Sequence, residues 1–258
     1  MYRKLGYLPG EKGVSTEDCI ELERELVSLL QNPPDLPDPW MLKTHLLLPS
    51  VYQAATQKPV LDQVASVLGN DLFLLSVDVF IKPPHSDKIV NWHQDGNYWG
   101  FDPFDITTAW IAVTEATLAN GCMQFAPKTH LDRLQHTETY AENSALSRGQ
   151  EIGMDMIKGD IISNELQRGQ FSLHHCLLAH YSGPNTTDSP RIGLAARFMP
   201  TSIRQLNTPG SSVILVRGED HSCAFPYDRK PDGALTSSAK ASHAAALKPH
   251  RITNYSTV

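Results

Sequence analysis

A histidine and an aspartate two positions apart, His93 and Asp95, sit in the stretch Asn91-Trp-His-Gln-Asp-Gly96. On extended backbone, positions i and i+2 point to the same face. An imidazole nitrogen and a carboxylate oxygen can then share one cation. A second neutral donor must come from elsewhere, and His174, His175 and His180 are the candidates. Two imidazoles and one carboxylate on one face of a metal leave the other positions open, as non-haem iron(II) oxygenases require for co-substrate and O₂. The donor set suits iron(II), manganese or zinc alike. Arg191 opens a strand downstream of His180, and Arg197 shares its face. A buried arginine needs an anionic partner, and its planar fork fits a carboxylate. The blander readings are histidines stacked within a β core and arginines in surface ion pairs.

The elements that must position these residues are mostly short strands. Leu72 to Lys82 reads as a long one, with Phe73, Leu75, Val77, Val79 and Ile81 on an apolar face. Leu74, Ser76, Asp78, Phe80 and Lys82 form a mixed face, which suits a sheet lining a cavity. Asn91-Trp92, Thr108 to Thr114, Cys122 to Ala126 and Arg191 to Met199 read as further strands, the last as the final core strand. Gly169 to His180 reads as strand, turn and strand. Ala119-Asn-Gly121 is a turn signal that predicts a hairpin or short crossover.

Helices are expected at the two ends. One is capped by Ser15 and buries Cys19, Leu22, Leu26 and Leu29. Another starts near Pro59, buries Val60, Val64, Val67 and Leu68, and ends at Gly69-Asn70. A tail helix runs from Ala234 to Leu247 and is ended by Pro249. Pro33 to Pro39 reads as a stiff turn, and 131–151 as a polar surface loop or lid. Strands between terminal helices predict a mainly β fold, a sandwich or barrel with flanking helices. One domain over 1–258 is expected, with a helical N-terminal part over about 1–70 and a core over about 71–217.

Composition narrows the function classes. The net charge is −6 and no Lys/Arg block occurs, so neither nucleic acid nor an anionic membrane is an expected partner. No run of apolar residues is long enough to span a bilayer, and the start is too short an apolar run for a signal peptide. Four scattered cysteines without a CxxC predict free thiols, a cytoplasmic location and no structural zinc.

Several ordered pieces together resemble the phytanoyl-CoA dioxygenase family of iron(II)/2-oxoglutarate-dependent oxygenases. They are Ile81-Lys-Pro-Pro84, Trp92-His-Gln-Asp-Gly96, Asn120-Gly-Cys-Met-Gln-Phe-Ala-Pro127 through His130, His174-His175, His180-Tyr-Ser-Gly-Pro-Asn185 and Arg191. The likeness runs from Leu72 to Phe198. It implies a double-stranded β-helix core, the jelly-roll or cupin-like architecture. It implies His93, Asp95 and His180 as iron ligands, and Arg191 as partner of the distal carboxylate of 2-oxoglutarate. Ser182 matches a hydroxyl near that carboxylate, and Lys82 a lysine at the same end.

Gln124 is a candidate for contact with co-substrate or substrate. Asn97, Tyr98, Trp99 and Phe101 follow the ligand pair and are candidates for the substrate side. His136 joins them if 131–151 is a lid, and Arg217 and His221 could serve a polar substrate from the C-terminal side. Trp110 reads as a core aromatic. The implied reaction consumes O₂ and 2-oxoglutarate, releases succinate and CO₂, and hydroxylates an unactivated C–H of a small polar or carrier-linked metabolite.

Halogenases of the same family carry a small residue in place of the carboxylate so that chloride can bind. Asp95 therefore favours hydroxylation, with desaturation as the nearer alternative. A cupin-like metal-binding protein without turnover is a separate reading, and the intact His93, Asp95, His180 and Arg191 count against it. A zinc hydrolase would leave Arg191 unexplained and lacks an obvious base beside the metal.

Overall fold

The alternation that starts at Leu72 folds into an 11-residue strand, the longest among the described residues. The computed structural model describes residues 1–33, 35, 39–138, 144, 150–206 and 210–255. Its two main sheets are built from β1 (Tyr7–Lys12), β2 (Leu72–Lys82), β3 (Val90–His93), β4 (Thr107–Ala112), β5 (Met123–Phe125), β6 (Ile162–Asn164), β7 (Gln170–His175), β8 (His180–Ser182), β9 (Arg191–Pro200) and β10 (Ile214–Arg217). A six-stranded sheet runs β1-β7-β4-β9-β2-β10, and a four-stranded sheet runs β3-β8-β5-β6. Residues from both sheets line one cavity, so the sheets face each other across it.

Helices cover the other side of the six-stranded sheet. They are α1 (Tyr2–Leu5), α2 (Thr16–Gln31), α3 (Pro49–Ala55), α4 (Lys58–Leu68) and α5 (Ser237–Tyr255). Ser15 caps α2 as expected, its Oγ accepting from the Asp18 amide at 3.0 Å. Gly69 ends α4 with a φ of 93°, a conformation that costs glycine little. Leu22 and Leu26 of α2, Val51 of α3 and Val60 and Val64 of α4 share one core with Val77, Ile111, Leu173 and Leu194 of the sheet.

The sheet departs from the sequence expectation in its details. β9 pairs with β2 from Arg191↔Lys82 to Pro200↔Leu72, with an irregularity between Arg197 and Phe198. Such a bulge shifts the alternation by one residue. Val77 and Val79 therefore join Leu72 and Leu74 in the main core, while Phe73 and Leu75 pack in a second cluster with Phe101, Met199 and Phe225. The single apolar face expected for β2 splits at the bulge.

Residues before 70 are not wholly helical, because β1 joins the six-stranded sheet beside β7. Its sequence, Tyr-Leu-Pro-Gly-Glu-Lys, has no alternation and contains both breakers, so nothing local marks it as a strand. β9 is not the last strand, since β10 adds an edge next to β2. β4 and β5 lie in different sheets, so the turn at Gly121 belongs to a crossover. α5 continues past Pro249. With these helices the fold is mixed α/β rather than mainly β. Most of the Pro33 to Pro39 turn and much of 131–151 lie outside the described residues. No helix among the described residues is long and apolar enough to cross a membrane.

Candidate active site

His93 is the last residue of β3, and Asp95 already starts a 3-10 turn over Asp95–Tyr98. Gln94 between them stays extended, with φ −116° and ψ 120°, so the two side chains still share a face. His180 opens β8 and pairs directly with His93 across the strands; the ring centroids are 4.1 Å apart. One ligand atom from each of His93, Asp95 and His180 lies within 4.8 Å of the others.

The two histidines are oriented by the same device. His93 Nδ1 is 2.7 Å from the Asn91 carbonyl and His180 Nδ1 is 2.9 Å from the Leu178 carbonyl. A carbonyl can only accept, so each Nδ1 carries a proton and each Nε2 is the nitrogen turned toward a metal. Burial, and then His93, pushes the His180 pKa down to about 4. Burial opposes charge on Asp95, but the neighbouring His93 and Arg197 outweigh it and hold the carboxyl well below the usual range. A neutral His180 imidazole beside an ionised Asp95 is the combination a divalent cation needs.

The neighbours of the pair anchor it. The Gln94 amide group donates to the carbonyls of Thr129, Asp132 and Leu177 and accepts from the Leu134 amide. Gly96 packs tightly: a Cβ there would lie 2.9 Å from Cys176 Sγ.

The metal candidates border a cavity of about 150 Å³, which also reaches Arg191. Arg191 and Lys82 are opposite each other in register and nearly inaccessible to solvent, at 3% and 4% exposure. Lys82 Nζ donates to Ser182 Oγ at 2.8 Å and to the Ser182 and Gly183 carbonyls. Arg191 Nη2 reaches Ser182 Oγ at 3.5 Å, while its Nε is buried without a hydrogen-bond partner. Burial pushes the Lys82 ammonium down to about 7, with Arg191 adding to the effect, and burial pushes Arg191 down to about 10. No carboxylate pairs with either cation among the described residues. Two buried cations and an orphaned guanidinium N–H fit an anionic ligand that is absent from the chain itself.

Trp110 holds that end of the cavity. Its ring lies 5.4 Å from the Arg191 guanidinium carbon, a cation–π contact, and it lines the cavity rather than only filling the core. Gly193 makes the space, because a Cβ there would collide with the Trp110 ring.

The three candidate histidines separate clearly. His174 also lines the cavity, with its ring 5.0 Å from that of His180, but it is outside the ligand cluster. His175 faces the other way, against Tyr2 and His130.

Gln124 is turned away from the cavity. It is opposite Tyr181, whereas Met123 is opposite Ser182 on the lining face. The short β5 gave no means of fixing its parity from sequence. The Asp95–Tyr98 turn carries the following residues off the sheet, so Asn97, Trp99, Phe101 and His136 do not line the cavity either. Asn97 binds Arg133 and the Leu134 carbonyl. His136 Nε2 accepts from the Gln94 amide, tying its segment to the ligand loop. Phe101 is buried against Phe225. The side chain of Tyr98 lies outside the description. Arg217 pairs with Asp62, and His221 is exposed beside Glu219. Phe80 lines the wall as the mixed face of β2 leads one to expect, while Val90, Thr108, Met123 and Ala195 are wall residues that the sequence reading did not assign to it.

Known proteins share this arrangement of sequence and fold. The family model described as phytanoyl-CoA dioxygenase (PhyH) matches residues 2–193. A probable phytanoyl-CoA dioxygenase of Caenorhabditis elegans is 27% identical over 173 residues, 64% of this chain and 55% of its own. A probable alpha-ketoglutarate-dependent hypophosphite dioxygenase of Stutzerimonas stutzeri is 29% identical over 163 residues, 59% of this chain and 55% of its own. The chain thus spans about half the length of the curated relatives it matches. Among solved structures, the non-heme monooxygenase ThoJ in its apo form superposes with a TM-score of 0.84 at 29% identity, covering 98% of this chain and 96% of its own. The mixed α/β fold is related to that of the non-haem iron/2-oxoglutarate oxygenases.

Proposed function

The chain belongs to the phytanoyl-CoA dioxygenase family, and on that premise we propose that it is an iron(II)- and 2-oxoglutarate-dependent dioxygenase. Its reaction converts R–H, 2-oxoglutarate and O₂ into R–OH, succinate and CO₂. We read the two facing sheets as a double-stranded β-helix within one domain over 1–258, and the free thiols as suited to a reducing compartment such as the cytoplasm.

The observation that carries the proposal is a ligand cluster and a buried arginine without a carboxylate partner at the borders of one small cavity, with Lys82 opposite that arginine in register behind the cavity wall. His93, Asp95 and His180 hold the metal. Arg191 binds the distal carboxylate of 2-oxoglutarate, with Ser182 and Lys82 beside it. Iron(II) with bound 2-oxoglutarate supplies the O₂ activation that couples loss of CO₂ to oxidation of a C–H bond.

The chain's own groups bind and orient. The Asn91 and Leu178 carbonyls fix the imidazoles, and Trp110 keeps water from the flank of Arg191. Lys82 supplies positive charge at the distal carboxylate when protonated. Phe80, Val90 and Met123 form an apolar wall for the substrate, and Phe80, at 38% exposure, stands at its mouth. The substrate is a small polar or carrier-linked metabolite.

The test is a panel of small amines, acids, phosphonates and carrier-bound amino acids, given iron(II), 2-oxoglutarate and ¹⁸O₂. Succinate release with one ¹⁸O atom in a product supports the reading. Iron-loaded protein that forms no succinate with or without any of them contradicts it.

A further inference from the structure

Arg197 lies further along β9 than Arg191 and borders the same cavity. Its surroundings are the opposite of those of Arg191, because it sits between two carboxylates. Nη1 donates to Asp78 and to Ser76 Oγ. Nε lies 3.8 Å from Asp95 Oδ2, with no hydrogen bond formed. The Trp99 ring covers the guanidinium, with 5.2 Å between the guanidinium carbon and the ring centroid.

Asp78 is itself fixed from behind. Its Oδ1 accepts from the main-chain amide of Lys43 at 2.9 Å. Lys43 holds a positive φ of 49° and is 2% exposed. Its ammonium is bound to the Ser212 carbonyl at 2.7 Å and to Asp228 at 2.8 Å. The buried sequence Lys43–Asp78–Arg197 therefore ends at a metal-ligand candidate.

The two oxygens of Asp95 have different neighbours. Oδ1 is 3.4 Å from His93 Nε2, while Oδ2 faces Arg197 at 3.8 Å. We propose that Arg197 is a positioning residue for Asp95: it engages Oδ2, so that the carboxylate offers Oδ1 alone to the cation. The inference rests on the metal reading above.

A carboxylate free to rotate can chelate through both oxygens and occupy two positions of the metal. Engaging one oxygen elsewhere leaves the second position for co-substrate or O₂. Partners that orient a ligand in this way typically change metal affinity about 10- to 100-fold. Asp78 serves the same end indirectly, by keeping the guanidinium aimed along β9 instead of folding over the carboxylate. An ion pair that only stabilised the fold would leave metal affinity unchanged.

The probe is Co(II), titrated calorimetrically into the apo-protein without 2-oxoglutarate and followed by its visible absorption. R197Q is expected to shift Co(II) affinity about 10- to 100-fold and to alter the spectrum, because the freed carboxylate changes the coordination of the cation. R197K, which keeps the charge, should return the affinity part of the way to wild type. D78N should shift the affinity by a smaller factor in the wild-type background and by none in R197Q, because Asp78 acts through Arg197.

The melting temperature of each apo-variant separates this change from unfolding. If R197Q does not fold, the paired variant D78N/R197Q carries the same expectation of shifted affinity and altered spectrum. Folded R197Q, or the paired variant in its place, with wild-type affinity and spectrum overturns the proposal. Additive effects of D78N and R197Q also overturn it. Wild-type protein that binds no divalent metal overturns the metal reading together with this one.

Discussion

Arg191 and Lys82 are cross-strand neighbours on β9 and β2, and two buried cations meet there without an acid between them. Two other little-exposed cations are paired: Lys43 has Asp228, and Arg197 has Asp78. The unpaired couple is the mark of a site built for an anion.

Lys82 makes binding depend on pH. Its pKa of about 7 reflects burial first and Arg191 second. A dianion beside it favours the ammonium, so its pKa rises when 2-oxoglutarate binds. Above pH 7 binding must take up protons, and affinity must fall as pH rises from the pKa of the free site toward that of the complex. Calorimetry at pH 8 in buffers of different ionisation enthalpy should report uptake approaching about one proton. K82M should lower affinity and remove the uptake. Proton-neutral binding by the wild type would contradict the assignment of Lys82.

Gly193 tests the architecture of the same end. G193A places a methyl group against Trp110, so the indole must leave the flank of Arg191 or the strands must part. Overpacking of this kind costs about 1–3 kcal/mol, read as a lower unfolding midpoint. The Kd for 2-oxoglutarate should rise with it. A variant with unchanged stability and affinity would show that the tight fit at Trp110 has no consequence.

Met123 and Gln124 offer opposite outcomes on adjacent positions. Q124A should leave 2-oxoglutarate affinity and turnover within about twofold, since surface substitutions away from special features shift energies by roughly ±0.5 kcal/mol. M123A enlarges the cavity and should alter substrate selectivity or KM once a substrate is known. A severe loss in Q124A with intact folding would mean that β5 presents its other face.

Much of this was legible from local pattern. Ser15 and Gly69 mark their helix ends through capping chemistry, and the alternation over Leu72 to Lys82 gives β2 to the residue. The His93–Asp95 pair was legible because extended backbone puts i and i+2 on one face, and Gln94 remains extended although the strand has ended. His180 was picked out by the order of family-like motifs, since spacing alone left three histidines open.

What remained hidden depends on pairing between distant strands. The parity of Gln124 is set by β8, the bulge at Arg197 changes the faces of β2, and β1 is a strand only because β7 pairs with it. Trp110 was placed in the core, but its contact with Arg191 requires the space left by Gly193 on a neighbouring strand. None of these relationships leaves a trace in a short window of sequence.

The most direct measurement is the visible absorption of anaerobic protein titrated with iron(II) and then 2-oxoglutarate. Chelation of the 2-oxo acid at a site held by His93, Asp95 and His180 should produce a weak metal-to-ligand charge-transfer band in the green region. The band should be absent when succinate replaces 2-oxoglutarate and in His180→Ala. Protein that binds iron(II) stoichiometrically yet shows no such band with saturating 2-oxoglutarate would contradict the account.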